Sequence, residues 1–419
     1  MPLATQGPQT VAALDALRPR FEWWAPGPYG GSPSPAPAAG ASPARPSWGI
    51  STAPPYLPPP VFTPLTPALK TANLDTAALL PGALDAFSSR GQPYGLPVAA
   101  VPTGLLCNTK AFAEAGVPLP SPGWTLADFT GVCDALRAGI GAGRVASADA
   151  VLPPLVGSSR WKNPGGSFGV WYGGLIDPTV WGGFVLGYGG TIVAADGAFD
   201  LTNAGAVQGL EQLVALARSY GAPQKDAPQS PGTLFPAAMT FYPYMGTPPR
   251  GGLPSSPLRW VPFPALPVRP VVPASLNGIL PARLGSNLQV QFNVAHAPPQ
   301  ALEAVVLYAR WLYGQPATTP TLRPPVVADP RVQDAYWAAQ GGGAPGPLVP
   351  WRNYAFIGSG WPATPTVGSQ VDLGTNEAGT IVFQALTQAV QAGTPLPGLL
   401  AAATRQLNAA AASVRPGAG

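Results

Sequence analysis

The 419-residue chain has two cysteines, Cys107 and Cys133, one histidine, His296, and three methionines. Two cysteines exclude a disulfide-stapled scaffold and any cluster of thiolate ligands, and a single imidazole excludes a metal centre built from several histidines. Charged residues make up 10% of the chain and the net charge is +4, with no basic run, so no nucleic-acid partner is expected. No uninterrupted apolar stretch reaches the roughly 18 residues that a membrane-spanning helix needs. Met1 to Thr10 carries neither a basic nor an apolar segment of signal-peptide type, and none is read there. No Walker sequence is present, and Gly139–Gly143, part of a dinucleotide-type glycine pattern, follows a helix rather than a strand. No cofactor and no metal is expected.

Proline and glycine, at 58 and 51 residues, fill about a quarter of the chain, a level that by itself suggests disorder. The aromatics argue otherwise: 12 Trp, 12 Tyr and 14 Phe, within a 46% hydrophobic composition, can bury enough surface to offset the entropy of folding. The reading is a globular chain of two to three domains with proline-rich connections. Pro26 to Pro60 lacks periodicity and reads as irregular. Beyond it, prolines stand where helices begin: Pro298-Pro299 open a helix that Gly314 closes, and Asp329-Pro330 start another, with Asp as N-cap. Periodicity predicts further helices over 9–22, 109–115, 125–138, 178–188, 203–220, 376–392 and 395–414. Strands are expected over 94–101, 103–107, 191–194, 237–242, 258–263 and 275–280. Strands alternating with helices indicate an α/β chain with a partly parallel sheet.

One pattern looks catalytic. Gly165-Gly-Ser167-Phe-Gly169 matches the G-x-S-x-G nucleophile elbow, and Asp177, Asp196 and His296 follow in hydrolase order. The elbow needs a buried strand before its serine, whereas Ser158 to Pro164 is polar and broken by proline. A secreted serine hydrolase using Ser167 and His296 is therefore the reading from another class. The bland reading of His296 is a surface loop residue before a helix.

Another set of segments is more specific. Gly104-Leu-Leu-Cys-Asn-Thr-Lys-Ala-Phe-Ala-Glu-Ala-Gly116, followed by Trp124-Thr-Leu-Ala-Asp-Phe129, reads as a strand, a short helix, a proline turn and a longer helix that Thr125 and Asp128 can cap. It resembles the corresponding stretch of the extracellular solute-binding proteins of ABC importers, in their carbohydrate-binding, maltose-binding-protein-like group. Gln92 to Pro97, Trp181 to Gly190 with Asp196-Gly197, Phe235 to Met239, Ala301 to Tyr313 and Leu396 to Leu407 resemble further segments of that family in the same order. The resemblance covers about residues 61–410. It departs at Cys107, where the family has tyrosine, at Pro236, where it has lysine, and over residues 1–60.

The resemblance implies a two-lobed periplasmic-binding-protein-like fold of type II, each lobe a mixed sheet flanked by helices, with a ligand cleft between. Lobe 1 is expected to comprise 1–102 and 274–320, and lobe 2 to comprise 103–273 and 321–419. It implies binding without catalysis, a neutral carbohydrate ligand, membrane permease subunits as partners, a monomer, and an extracellular or periplasmic location. A non-transporting sugar-binding module of the same fold is a second alternative. The expected ligand-binding residues are Tyr242 and Tyr244 after Ala238-Met239, and Trp181 at a helix start. Trp171, Tyr172 and Asp177 are placed in the glycine-rich loop before that helix. Trp351, Tyr354 and Trp361 are placed in a proline-bounded loop, with Tyr56 as the first-lobe candidate and Asn277 near the second crossing. Aromatic rings stack on sugar C–H faces, which is why these residue types are chosen. The two cysteines are expected as buried free thiols.

Overall fold

The computed structural model describes residues 64–84, 88–89, 92–93, 95–121, 123–145, 169–172, 178–194, 198–220, 237–244, 258–279, 281–282, 292–293, 302–303, 306–307, 309–310, 313, 326–339, 354–356 and 377–413. The elements in chain order are α1 (Thr66–Thr71), β1 (Ser88–Ser89), β2 (Gln92–Pro93), β3 (Leu96–Asn108), α2 (Thr109–Ala115), α3 (Leu126–Gly141), β4 (Gly169–Tyr172), α4 (Pro178–Gly187), α5 (Ala204–Tyr220), β5 (Ala237–Pro243) and β6 (Leu258–Pro262). Then come β7 (Val272–Ile279), β8 (Pro281–Ala282), β9 (Phe292–Asn293), α6 (Pro330–Ala339), β10 (Tyr354–Phe356), α7 (Glu377–Ala392) and α8 (Leu396–Ser413).

β3 organises the molecule. Its first half pairs antiparallel with β7, from Leu96↔Ile279 to Pro102↔Ala274. Its second half pairs antiparallel with β5, from Thr103↔Pro243 to Cys107↔Met239, and with β6, from Gly104↔Pro262 to Asn108↔Leu258. β10 joins β7, and β4 joins β5, both in parallel, so the six-stranded sheet is mixed. The sequence suggests two strands here, 94–101 and 103–107; the structure has one. Pro102 has no N–H to give, but its carbonyl still accepts from Tyr244 N at 2.7 Å, so the ladder continues past it.

Asn108 ends β3 and starts α2 at once. Its side chain accepts from Lys110 N and Ala111 N, and α2 closes on Gly116 at φ 73°, a left-handed conformation that glycine adopts freely. α3 begins with the anticipated capping box, in which Thr125 Oγ1 accepts from Asp128 N and the Asp128 carboxylate accepts from Thr125 N at 2.7 Å. Thr125→Ala removes the cap and should cost about 1 kcal/mol in urea-unfolding free energy; an unchanged midpoint would refute this.

The main core lies under the second half of β3. Leu105, Cys107, Met239, Phe241 and Val261 occupy alternate positions of adjacent strands and are all nearly or wholly buried. α4 is buried on every side, as a helix apolar all round must be. A Cβ on Gly183 would come within 2.4 Å of Pro273 Cγ on β7, so only glycine lets α4 approach the sheet this closely. At its first turn, the Thr103 and Thr179 hydroxyls hydrogen-bond at 2.8 Å. α8 closes the core from the far end of the chain: Phe199 N donates to Asn408 Oδ1 at 2.8 Å and Asn408 Nδ2 donates to Phe199 O at 2.9 Å. Among the described residues no helix is long and apolar enough to cross a membrane.

Several expectations needed revision. Trp171 and Tyr172 lie on strand β4, not in a loop, and Tyr354 opens strand β10. Residues 191–194 form only a single bridge, Val193↔Phe199. Ser167 lies outside the described residues, yet a strand begins at Gly169, two residues on, where a nucleophile elbow requires a helix.

Candidate functional site

Where β3 changes partners, aromatic residues from four elements gather. Tyr244 follows β5, Trp260 is on β6, Tyr336 and Trp337 are on α6, and Tyr354 opens β10; Val272 of β7 lies among them. The Tyr244 ring meets Trp260 at 5.3 Å and Trp337 at 5.1 Å between centroids, and Trp337 meets Tyr336 edge-on at 4.9 Å. These are the offset and T-shaped separations at which ring quadrupoles attract. Tyr244, Tyr336 and Trp337 are almost wholly buried, whereas Trp260 and Tyr354 are half-buried. The Trp337 indole N–H is buried without a hydrogen-bond partner among the described residues.

Register and capping explain why the rings meet. Tyr354 pairs with Val272, which brings β10 alongside β7. α6 starts at Asp329, whose carboxylate accepts from Arg331 N at 2.9 Å. The segment before it is anchored elsewhere, since Leu80 N donates to Val326 O at 2.6 Å and Ala328 N to Ala78 O at 2.8 Å. Buried Gln333 donates from Nε2 to Val327 O at 2.9 Å, which fixes the first turn of α6. The helix then carries adjacent Tyr336 and Trp337 against Tyr244. Burial pushes the Tyr244 phenol up to about 12, and pushes Tyr354 up as well, with Tyr244 nearby adding to that shift.

Of the residues singled out in the sequence, the structure brings Tyr244 and Tyr354 together in this cluster. Tyr242 stands on β5 opposite Gly104, and Asn277 on β7 opposite Ala99. Trp171 and Tyr172 stand opposite Met239 and Thr240. Trp181 is completely buried in the main core and has no surface to offer a ligand in this conformation. Tyr56, Asp177, Trp351 and Trp361, and the hydrolase candidates Ser167, Asp196 and His296, lie outside the described residues. Sequence reasoning missed Trp260, Tyr336 and Trp337. Trp260 sat inside a strand run and Tyr336-Trp337 inside a helix, places where an aromatic is ordinarily core; only tertiary structure puts them at the crossing. Cys107 and Cys133 are buried free thiols, one on β3 and one on α3.

A long strand that changes partners midway, with helices on a mixed sheet, is one arrangement of a two-lobed binding protein. Residues 33–235 match the bacterial extracellular solute-binding protein family. No curated protein sequence matches the chain. Among solved structures, the chain is similar to an ABC substrate-binding protein from Listeria monocytogenes in complex with cycloalternan. The match has a TM-score of 0.56 at 15% identity, covering 83% of this chain and 80% of that one. It is similar to the cyclic α-maltosyl-1,6-maltose binding protein from Arthrobacter globiformis, with TM-score 0.54, 14% identity, and 85% of each chain covered. It is also similar to UgpB from Mycobacterium tuberculosis in complex with glycerophosphocholine, with TM-score 0.52, 15% identity, and coverage of 84% and 78%. The fold is thus the two-lobed, maltose-binding-protein-like fold of the solute-binding proteins. The matching family is one of solute-binding proteins, and the first two of these neighbours are likewise named as binding proteins.

Proposed function

We propose that this protein is the substrate-binding component of an ABC importer, holding a neutral sugar or oligosaccharide between its lobes and delivering it to a membrane permease. The observation that carries this is the aromatic cluster at the strand crossing, within a solute-binding fold. Flat rings bind sugar C–H faces, and a chain with only 10% charged residues fits a neutral solute better than an ion. Two of the three similar structures named above are of proteins that bind cyclic saccharides. The proposed lobes are 1–102 with 274–320 and 103–273 with 321–419. The change of partners along β3 after Pro102 supports the first boundary, while the bonds of Val326 and Ala328 to Leu80 and Ala78 and the pairing of β10 with β7 tie those parts of 321–419 to the first lobe. Hinge closure about these strands would trap the ligand and present the closed form to the permease. The protein works as an extracellular or periplasmic monomer, without chemistry on its ligand.

A ligand that binds only the folded form stabilises it, by about 2.7 kcal/mol at a hundred times its dissociation constant. A panel of neutral malto- and manno-oligosaccharides should therefore include members that raise the melting temperature, with saturable heats in calorimetry. If no neutral saccharide gives either signal, the proposal is wrong.

A further inference from the structure

Trp260 is placed differently from the other rings of the cluster. Its backbone pairs with Leu106, but its indole leans along the sheet and lies against Gly104. A Cβ at position 104 would stand 2.4 and 2.7 Å from Cζ2 and Cε2 of the indole, and 2.2 Å from the Val261 carbonyl oxygen. Only glycine allows the ring to settle there. From another side Tyr244 meets the indole at 73°. Tyr244 is in turn backed by Trp337, and Trp337 by Tyr336. The three backing residues are 3%, 2% and 1% exposed, while Trp260 remains half-buried. The neighbouring strand residue, Val261, faces the main core, so Trp260 is on the opposite side of the sheet from it. Gly104 comes two residues after Pro102, the last residue of β3 that pairs with β7. The ring therefore sits at the junction between the two halves of the sheet.

We propose that Trp260 is the ring on which the ligand stacks, and that Gly104 is the positioning residue that seats it. This rests on the carbohydrate-binding reading above and deepens it by naming the contact. A ring already fixed by a glycine floor and a stack of buried aromatics loses little freedom when a ligand arrives, so more of the contact energy appears as affinity. Its uncharged flat surface suits the C–H face of a pyranose ring.

The test uses the full chain and an oligosaccharide from the panel that binds by calorimetry. N-bromosuccinimide oxidises accessible indoles, and peptide mass spectrometry locates the oxidised residue. Bound oligosaccharide should slow oxidation of Trp260 by about tenfold or more, and Trp260→Leu should weaken calorimetric binding by about tenfold, the equivalent of roughly 1.4 kcal/mol. Trp260→Phe, which keeps a stacking face, should stay within about threefold of the parent. Gly104→Ala should match the loss at Trp260→Leu if it folds; the two Trp260 variants decide the matter if it does not. A saccharide that binds while Trp260 oxidises at its free rate, or that binds Trp260→Leu as tightly as the parent, overturns this inference and leaves the carbohydrate reading standing. Absence of any saccharide binding to the parent overturns both.

Discussion

Raising the pH above about 9 should unfold this protein steeply, because its fold buries acids that must stay neutral. Burial holds the Cys107 and Cys133 thiols well above their ordinary 9.0, and the Tyr313 and Tyr354 phenols well above their ordinary 10.0. It pushes Tyr244 up to about 12. Each is an acid whose folded pKa is raised. Below the unfolded value both states are protonated and the group contributes no pH dependence. Above it the unfolded chain loses a proton that the native state keeps, so stability falls as pH rises. Each such proton tilts the balance by about 1.4 kcal/mol per pH unit, and the thiols begin the decline before the phenols join. Urea unfolding followed by circular dichroism between neutral pH and about pH 11 should show midpoints falling ever faster. Replacing both cysteines with alanine should flatten the first part of that fall. Midpoints that stay level across the range would mean that these groups ionise in the folded protein.

Much of this fold was legible because its signals are local. Thr125 with Asp128 announces a capping box, Asn108 and Gly116 bracket a two-turn helix, and Asp329-Pro330 opens α6; each is a matter of neighbours within one turn. α2 spans the residues anticipated for it, and α3, α4 and α5 differ by a few at their ends. The passage of β3 through Pro102 was not legible. A proline reads as a break, and only the partner strand reveals that its carbonyl is still in use. β4 was hidden by the glycines around Ser167, which pulled the reading toward a catalytic turn. Tyr354 looked like a loop residue until its parallel pairing with Val272 was known.

The site was legible as a residue type and less so as a place. Many aromatics with few charges point to rings and a neutral ligand. Tyr244, proposed from the family-like stretch, and Tyr354, proposed as an aromatic in a proline-bounded loop, both lie in the aromatic cluster. Which further rings join them depends on β6, α6 and β10 converging, contacts separated by dozens of residues in sequence. Gly104 shows the limit most clearly. In the sequence it is one of 51 glycines opening a family-like segment; in the structure it is the floor beneath an indole.

Trp181 gives the sharpest contrast between a core ring and a ligand ring, and Trp181→Ala should destabilise the protein by about 3–5 kcal/mol. The indole is wholly buried in the main core, on a helix whose neighbours Val180, Phe184 and Val185 are likewise without exposure. Removing it takes away the transfer energy of a large apolar group. It also leaves a cavity that cannot collapse, since α4 is pinned at Gly183 against Pro273 and at Thr179 by the hydroxyl of Thr103. Against a total stability of about 5–15 kcal/mol, such a loss lowers the urea midpoint by a large fraction. The fraction that remains folded should bind oligosaccharide with the parent's affinity, because the crossing cluster is built from other elements. Trp260→Leu should do the reverse, lowering affinity with a much smaller change in midpoint, since its ring is only half-buried. A Trp181→Ala protein that unfolds at the parent's midpoint and yet loses its ligand would move the binding ring from the sheet crossing to the start of α4.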